Sequence, residues 1–196
     1  GRVIAGYGIL QPRVAVSLSG SNRSRYARLH SGDSGVDPYT RAVSDVYQDL
    51  FDEGSFIGKG IYEVDIFMAS LAGRVPQNAM LSHDLFEGIY TRAGLISDVE
   101  VVEEFPDRYD VASRRHHRWA RGDWQLLPLM LQGKKYGIDS LGLWKMLDNL
   151  RRTLVVPASL TLLVWVVFTD AMPLSKALLV VLAAFLAGPL LGALAG

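Results

Sequence analysis

The sequence predicts an α/β domain followed by a transmembrane helical hairpin, and three observations predict it. Strand-like and helical apolar patterns alternate up to Arg152. Beyond Thr153 only Asp170 and Lys176 are ionisable, and the chain closes on two apolar stretches. The composition excludes other classes: 196 residues, 49% hydrophobic and 20% charged, is neither disordered nor collagenous. Twenty Lys and Arg against twenty Asp and Glu leave no whole-molecule basic footprint, so no nucleic-acid partner is expected. With no cysteine there is no disulfide framework, thiolate nucleophile or Cys-type zinc site. The opening Gly1-Arg-Val-Ile-Ala lacks a signal-peptide layout and reads as the start of an internal fragment.

Ile4 to Val16 reads as a strand running into an irregular loop at Gln11-Pro12, and Ser17 to Tyr39, poor in large apolar residues, as a loop. Arg41 to Phe51 repeats Val43, Val46, Tyr47, Leu50 and Phe51 at amphipathic-helix spacing. Gly54 to Gly60 is a glycine-rich loop leading into strand-like Ile61 to Asp65. The loop is not a triphosphate cradle: Gly54 and Gly58 are too close, and Gly60 stands where Ser or Thr would hold magnesium. Ser82 is a good N-cap, which puts Asp84 in the first turn of a helix bearing Ile89, Tyr90 and Ala93, with Gly94 as its stop. Asp84 there is either a capping acid or a base kept ionised by the helix dipole, which also lowers its pKa.

Ile96 to Val102 is strand-like, closed by Glu103-Glu104-Phe105-Pro106. Strands near residues 4–16, 57–66 and 96–103 are expected in one incomplete mixed sheet with an exposed edge. Tyr109 to Leu131 reads as a helix carrying Arg114, Arg115, His116, His117, Arg118, Trp119 and Arg121. Such a run is either a solvated basic face or an anion site, in which Arg118 could make paired bonds to a pyrophosphate and Trp119 a stacking face for a sugar. Adjacent His116 and His117 point to different helix faces and do not share a metal.

Residues 134–152 read as an amphipathic helix, with Leu141, Trp144, Leu147 and Leu150 on one stripe, lying in a membrane interface or packed on the domain. Leu154 to Thr169 then covers roughly 24 Å of a ~30 Å hydrocarbon core. Ala177 to Gly196 is close to spanning length, with a short turn at 170–176. Lys134, Lys135, Lys145, Arg151 and Arg152 precede the first span, so the positive-inside rule places the soluble part in the cytoplasm of a multi-pass membrane protein.

In their order these segments resemble a family. Arg115-His-His-Arg118-Trp119 is similar to the Gln-x-x-Arg-Trp motif of processive inverting glycosyltransferases of the cellulose-synthase kind. Ser82-His83-Asp84 resembles their Thr-Glu-Asp motif, and Leu10-Gln11-Pro12-Arg13 and Phe56-Ile57-Gly58-Lys59-Gly60 stand at the family's Gln-Thr-Pro and Phe-Cys-Gly segments. Within that family the likeness is to the glycosyltransferase region of cyclic beta-1,2-glucan synthases, over most of residues 1–152. Arg115 and His83 depart from the motifs' Gln and Glu.

The resemblance implies that residues 1–133 are the C-terminal half of a GT-A-like domain, followed by an interface helix (134–152) and two transmembrane helices (153–196). It implies transfer of glucose from UDP-glucose, with inversion, to a growing beta-1,2-glucan by a bacterial inner-membrane synthase. Asp84 would be the base, with Arg115, Arg118 and Arg121 at the donor pyrophosphate and Trp119, Phe56 and Gly58 at the acceptor. A divalent cation, magnesium or manganese, is expected on an Asp-x-Asp pair lying before Gly1, so the segment is expected to be inactive without the rest of the synthase. A related transferase making another beta-glucan, and a membrane-anchored polyanion-binding module, are the alternatives.

Overall fold

A computed structural model describes residues 1–31, 45–74, 80 and 83–195, the last eight as backbone. The chain divides into two units, Gly1–Met146 and Leu147–Gly196.

The first unit is mixed α/β. Its sheet has the order β2-β1-β3, with β1 (Ile9–Val16) in the centre, β2 (Ile61–Tyr62) antiparallel to it and β3 (Ala93–Glu103) parallel. Proline has no N–H to give a ladder and is ordinarily excluded from central strands. β1 nevertheless continues through Pro12, and its neighbour adjusts. Pro12 pairs with Ile96 but Arg13 with Glu100, so Ser97, Asp98 and Val99 bulge out of β3. Arg13 then donates to Glu100 at 2.6 Å on the shifted register.

Several expected boundaries are corrected, in most cases because a side-chain cap outcompetes the apolar pattern. The first strand starts only at Ile9. Of the strand expected at 57–66, Ile61 and Tyr62 alone are β. Glu63 accepts from the Ile66 N–H at 2.6 Å and starts helix α4 (Val64–Leu71) instead. The supposed loop after Ser17 holds two short helices, α1 (Leu18–Asn22) and α2 (Arg25–His30), capped by Ser17 and Ser24. The remainder of that stretch, 32–39, lies outside the described residues, as do 41–44 of the next expected helix. α3 (Val46–Phe51) is capped by the buried Asp45, which accepts from the Tyr47 and Gln48 N–H groups.

Helix α5 (Asp84–Thr91) ends at Arg92, in positive φ, and not at Gly94. Arg92 is held there by bonds to the Asp52 carbonyl and carboxylate. Gly94 belongs to β3, where a Cβ would meet the Tyr7 ring at 2.7 Å. The helix expected over 109–131 divides into α6 (Tyr109–Gln125) and α7 (Leu127–Leu131), because Pro128 cannot continue the ladder of the first. α8 (Gly133–Tyr136) follows. The main core joins Leu85, Phe86, Ile89 and Tyr90 of α5 to Leu126, Leu129, Ile138 and Met146, and a smaller cluster joins Ile9, Phe56 and Ala93 with Phe67. α5 is therefore anchored along its length, and its N-terminus is fixed in space.

The expected amphipathic helix and first apolar stretch are one helix, α9 (Ser140–Thr169), unbroken at Arg152 and at Pro157. Its start belongs to the first unit, where Lys145 is buried in an ion pair with Glu53 at 3.0 Å. Lys145 is thus not one of the solvent-facing cations the positive-inside argument assumed. In the second unit, α9 ends at Asp170 in left-handed conformation and α10 runs over Leu174–Ala195, with the Pro173 carbonyl accepting its first bonds. The Thr161 and Thr169 hydroxyls donate to carbonyls one turn back, at 2.8 and 2.7 Å, as an apolar setting requires. By length and composition α9 is able to cross a membrane, whereas the described apolar part of α10, Leu174–Ala187, is shorter.

Candidate active site

The α5 N-terminus, the Phe56–Gly60 loop, the end of β3 and α6 meet in the first unit. The N-cap of α5 is His83, in extended conformation and without a side-chain cap bond, and Asp84 is the first helical residue. Ser82, expected to cap, lies outside the described residues. The His83 N–H donates to Glu87 Oε1 at 3.3 Å, so a side chain of the first turn satisfies it. Asp84 does not serve as a cap: among the described residues its carboxylate accepts no hydrogen bond. It lies instead under Gly58, whose φ of 83° is left-handed and where a Cβ would fall 2.6–2.9 Å from the Asp84 carboxylate. Gly58 is therefore required twice, for its backbone angle and for the close approach.

The electrostatics of Asp84 differ from the expectation of a dipole-lowered acid. Covering one side of the carboxylate raises its pKa, and the charges of His83, Lys59 and Arg118 pull against that without reversing it. The other side stays open to solvent. A carboxylate raised in pKa, still solvent-accessible and in the field of two cations, is chemically suited to accept a proton from an approaching hydroxyl. Glu87 is likewise raised by burial.

α6 brings the basic run to the same place. Gly122 faces the His83 ring, with room for a Cβ only at 3.2 Å, and Asp123 stands 3.6 Å from His83 Nε2. Arg118 acts on Asp84 and is exposed. Arg121 is exposed as well. Arg115 differs from both: it pairs with Glu103 at 3.2 Å and lies over the Trp119 ring at 5.0 Å. Trp119 is 41% exposed, an accessible face next to these groups. Phe56, expected at the acceptor, lies inside the domain. It is buried among Ile9 and Ala93, with its Cβ against the backbone of Gly88, and so supports the loop from beneath.

Three participants were not singled out from the sequence. Lys59 Nζ pairs with Glu103 Oε1 at 2.9 Å. Glu103, the last residue of β3, holds Lys59 with one oxygen and Arg115 with the other. Burial alone would raise the Glu103 pKa, but its bonds to Lys59 and then Arg115 outweigh burial and lower it. Gln11, buried on β1, accepts from the Ile57 N–H at 2.6 Å and fixes the start of the loop. The available signal was the order of segments: a polar residue before Pro12, a lysine between two glycines and an acid ending a strand.

Among the described residues no three His, Asp or Glu side chains converge where a metal ion could sit. The described residues by themselves do not supply a divalent cation's ligand set.

No protein-family model matches the chain. It is similar to cyclic beta-(1,2)-glucan synthase NdvB of Rhizobium meliloti (strain 1021), with 56% identity over 154 residues, which is 78% of this chain and 5% of that synthase. The chain thus spans a small part of the length of the relative it matches. Identity of that depth over 78% of the chain means that the chain belongs, as one segment, to the cyclic beta-(1,2)-glucan synthase family.

Proposed function

We propose that this chain is the base-bearing part of a membrane glucan synthase that transfers glucose from UDP-glucose, with inversion, to a growing beta-1,2-glucan. The observation that carries the reading is Asp84, at a helix mouth, raised in pKa and in the field of Lys59 and Arg118. An acceptor hydroxyl oxygen attacks the anomeric carbon, and its proton passes to the Asp84 carboxylate. The bond from that carbon to the diphosphate oxygen breaks on the opposite face, and UDP leaves with the electron pair. Arg118, exposed and within electrostatic reach of Asp84, offsets the negative charge growing on the diphosphate, with Arg121 one turn further on. Trp119 offers the acceptor glucose a stacking face. Linkage and donor rest on the family, since the pocket that orients the acceptor needs more of the protein than this segment.

α9 anchors this apparatus in the bacterial inner membrane with the site on the cytoplasmic side, and α10 returns through it. The length and apolar character of α9 support its crossing of a bilayer.

The test uses the intact synthase in membranes. Asp84→Asn is expected to lower glucose incorporation from UDP-glucose by about 10²- to 10⁴-fold while UDP still binds. Turnover within a few-fold of wild type would remove Asp84 as the base.

A further inference from the structure

Glu103 is placed where three elements meet. It ends β3, one of its oxygens bonds Lys59 of the glycine loop at 2.9 Å, and the other bonds Arg115 of α6 at 3.2 Å. Each partner leads to the site by one short step. Lys59 follows Gly58, whose backbone covers Asp84, and Arg115 lies over the Trp119 ring. All three charged side chains remain 22–32% exposed. Pairs so placed contribute little to stability, because solvent screens them and long side chains lose freedom in forming them. What such a bridge supplies is position.

We infer that Lys59 and Glu103 form a positioning clamp, in which Glu103 registers the Gly58 loop over Asp84 and, through Arg115, sets the Trp119 ring. Arg115 then serves the site as a structural partner of Glu103, and the guanidinium that acts on the reacting groups is that of Arg118. This inference rests on the glucosyl-transfer reading, with Asp84 as base. Because the backbone of Gly58, next to Lys59, covers the Asp84 carboxylate, slackening the clamp lets that side chain leave its position on the fixed helix end without removing the base. Misplacement of a reacting group on the order of 1 Å costs up to about 100-fold in rate.

The experiment measures kcat and the KM for UDP-glucose in the intact, membrane-reconstituted synthase carrying Glu103→Gln, Lys59→Met, both together, or Lys59→Arg. Each single change is expected to lower kcat by about 10- to 100-fold with KM held within about threefold. The double variant should fall no further than the worse single one, because both break the same bond. Lys59→Arg, which keeps the charge, should stay within about threefold of wild-type kcat. Wild-type kcat in both single variants, or losses that multiply in the double, would overturn the clamp. If Glu103→Gln does not accumulate, Lys59→Met against Lys59→Arg decides alone: equal kcat in these two overturns it. An active Asp84→Asn would instead sink the transfer reading itself, while an inactive Asp84→Asn beside an undiminished Glu103→Gln would sink only the clamp.

Discussion

Two lysine–glutamate pairs in the first unit have nearly the same length and opposite circumstances. Lys145 and Glu53 meet at 3.0 Å with both side chains almost fully buried, 3% and 4% exposed. Lys59 and Glu103 meet at 2.9 Å at the edge of the site, 32% and 26% exposed. The buried ammonium also donates to the Glu53 and Gly54 carbonyls and sits 5.0 Å from the Tyr47 ring centre. Its carboxylate partner is shared with Arg2 at 3.0 Å. Taking such charges out of water is tolerable only when every polar atom finds a partner, so the buried pair is all-or-nothing. The exposed pair has water as an alternative partner throughout. Separation therefore says little about what an ion pair does; burial decides whether it holds the fold or only places a loop.

The largest expected effect breaks the buried member. Lys145→Met leaves the Glu53 carboxylate and two carbonyls short of a donor and should destabilise the protein by about 3 kcal/mol, read as a shift in the denaturant midpoint. The matching change at the exposed pair, Glu103→Gln, should move the same midpoint by less than about 1 kcal/mol. Equal shifts would erase the distinction.

Gly58→Ala falls between these in stability and beyond them in consequence. The left-handed backbone and the clash with Asp84 together should cost about 1–3 kcal/mol. Because the atom that must give way is the proposed base, glucose incorporation should drop by more than about tenfold in the intact synthase. A variant that is less stable but fully active would show that Asp84 does not need the covered position.

The smallest expected effect is a pH displacement. Burial raises Asp84, so as base it ionises above the ordinary aspartate range, and the acid limb of activity should lie correspondingly high. Against burial, Lys59 and Arg115 lower Glu103. As the proton acceptor Asp84 sets the acid limb, while Glu103 takes no part in the transfer. In stability the two carboxylates have opposite signs. The contribution of Glu103 is present above the ordinary glutamate value and is lost as pH falls through its lowered folded value. For Asp84 the folded state holds the proton more tightly, so stability declines as pH rises through its raised value. A pH profile of kcat for Glu103→Gln with an unmoved acid limb would agree with this division of roles; a shifted one would not.

Much of this was legible in the chain. The strands at Ile9, Ile61 and the 96–103 region, the helix following Asp84, the basic helix and the apolar end all follow from alternation, helical spacing and the disappearance of charge. Three of the boundary errors share one cause. Ser17, Ser24 and Glu63 cap helices with bonds to N–H groups a few residues on, and these local bonds outweigh the apolar pattern around them. Pro12 misled in the other direction, since its lost bond is absorbed by a bulge in a strand more than eighty positions away. Asp84, Arg118 and Trp119 were identifiable as candidates because their types suit sugar and phosphate chemistry. Phe56 was assigned to the acceptor from its place in a motif, and its burial under the loop was not readable there.

The order of elements, the sites where a carboxylate, a guanidinium and an indole become available, and the long apolar helix follow from the sequence alone, because they depend on neighbours within a turn or two. The direction of the Asp84 pKa, the double requirement for Gly58, and the division of Arg115 to Glu103 and Arg118 to Asp84 were decided by tertiary structure. Each depends on charges and backbone brought together from β3, the glycine loop and α6, and the field at a side chain is summed over space without regard to distance along the chain.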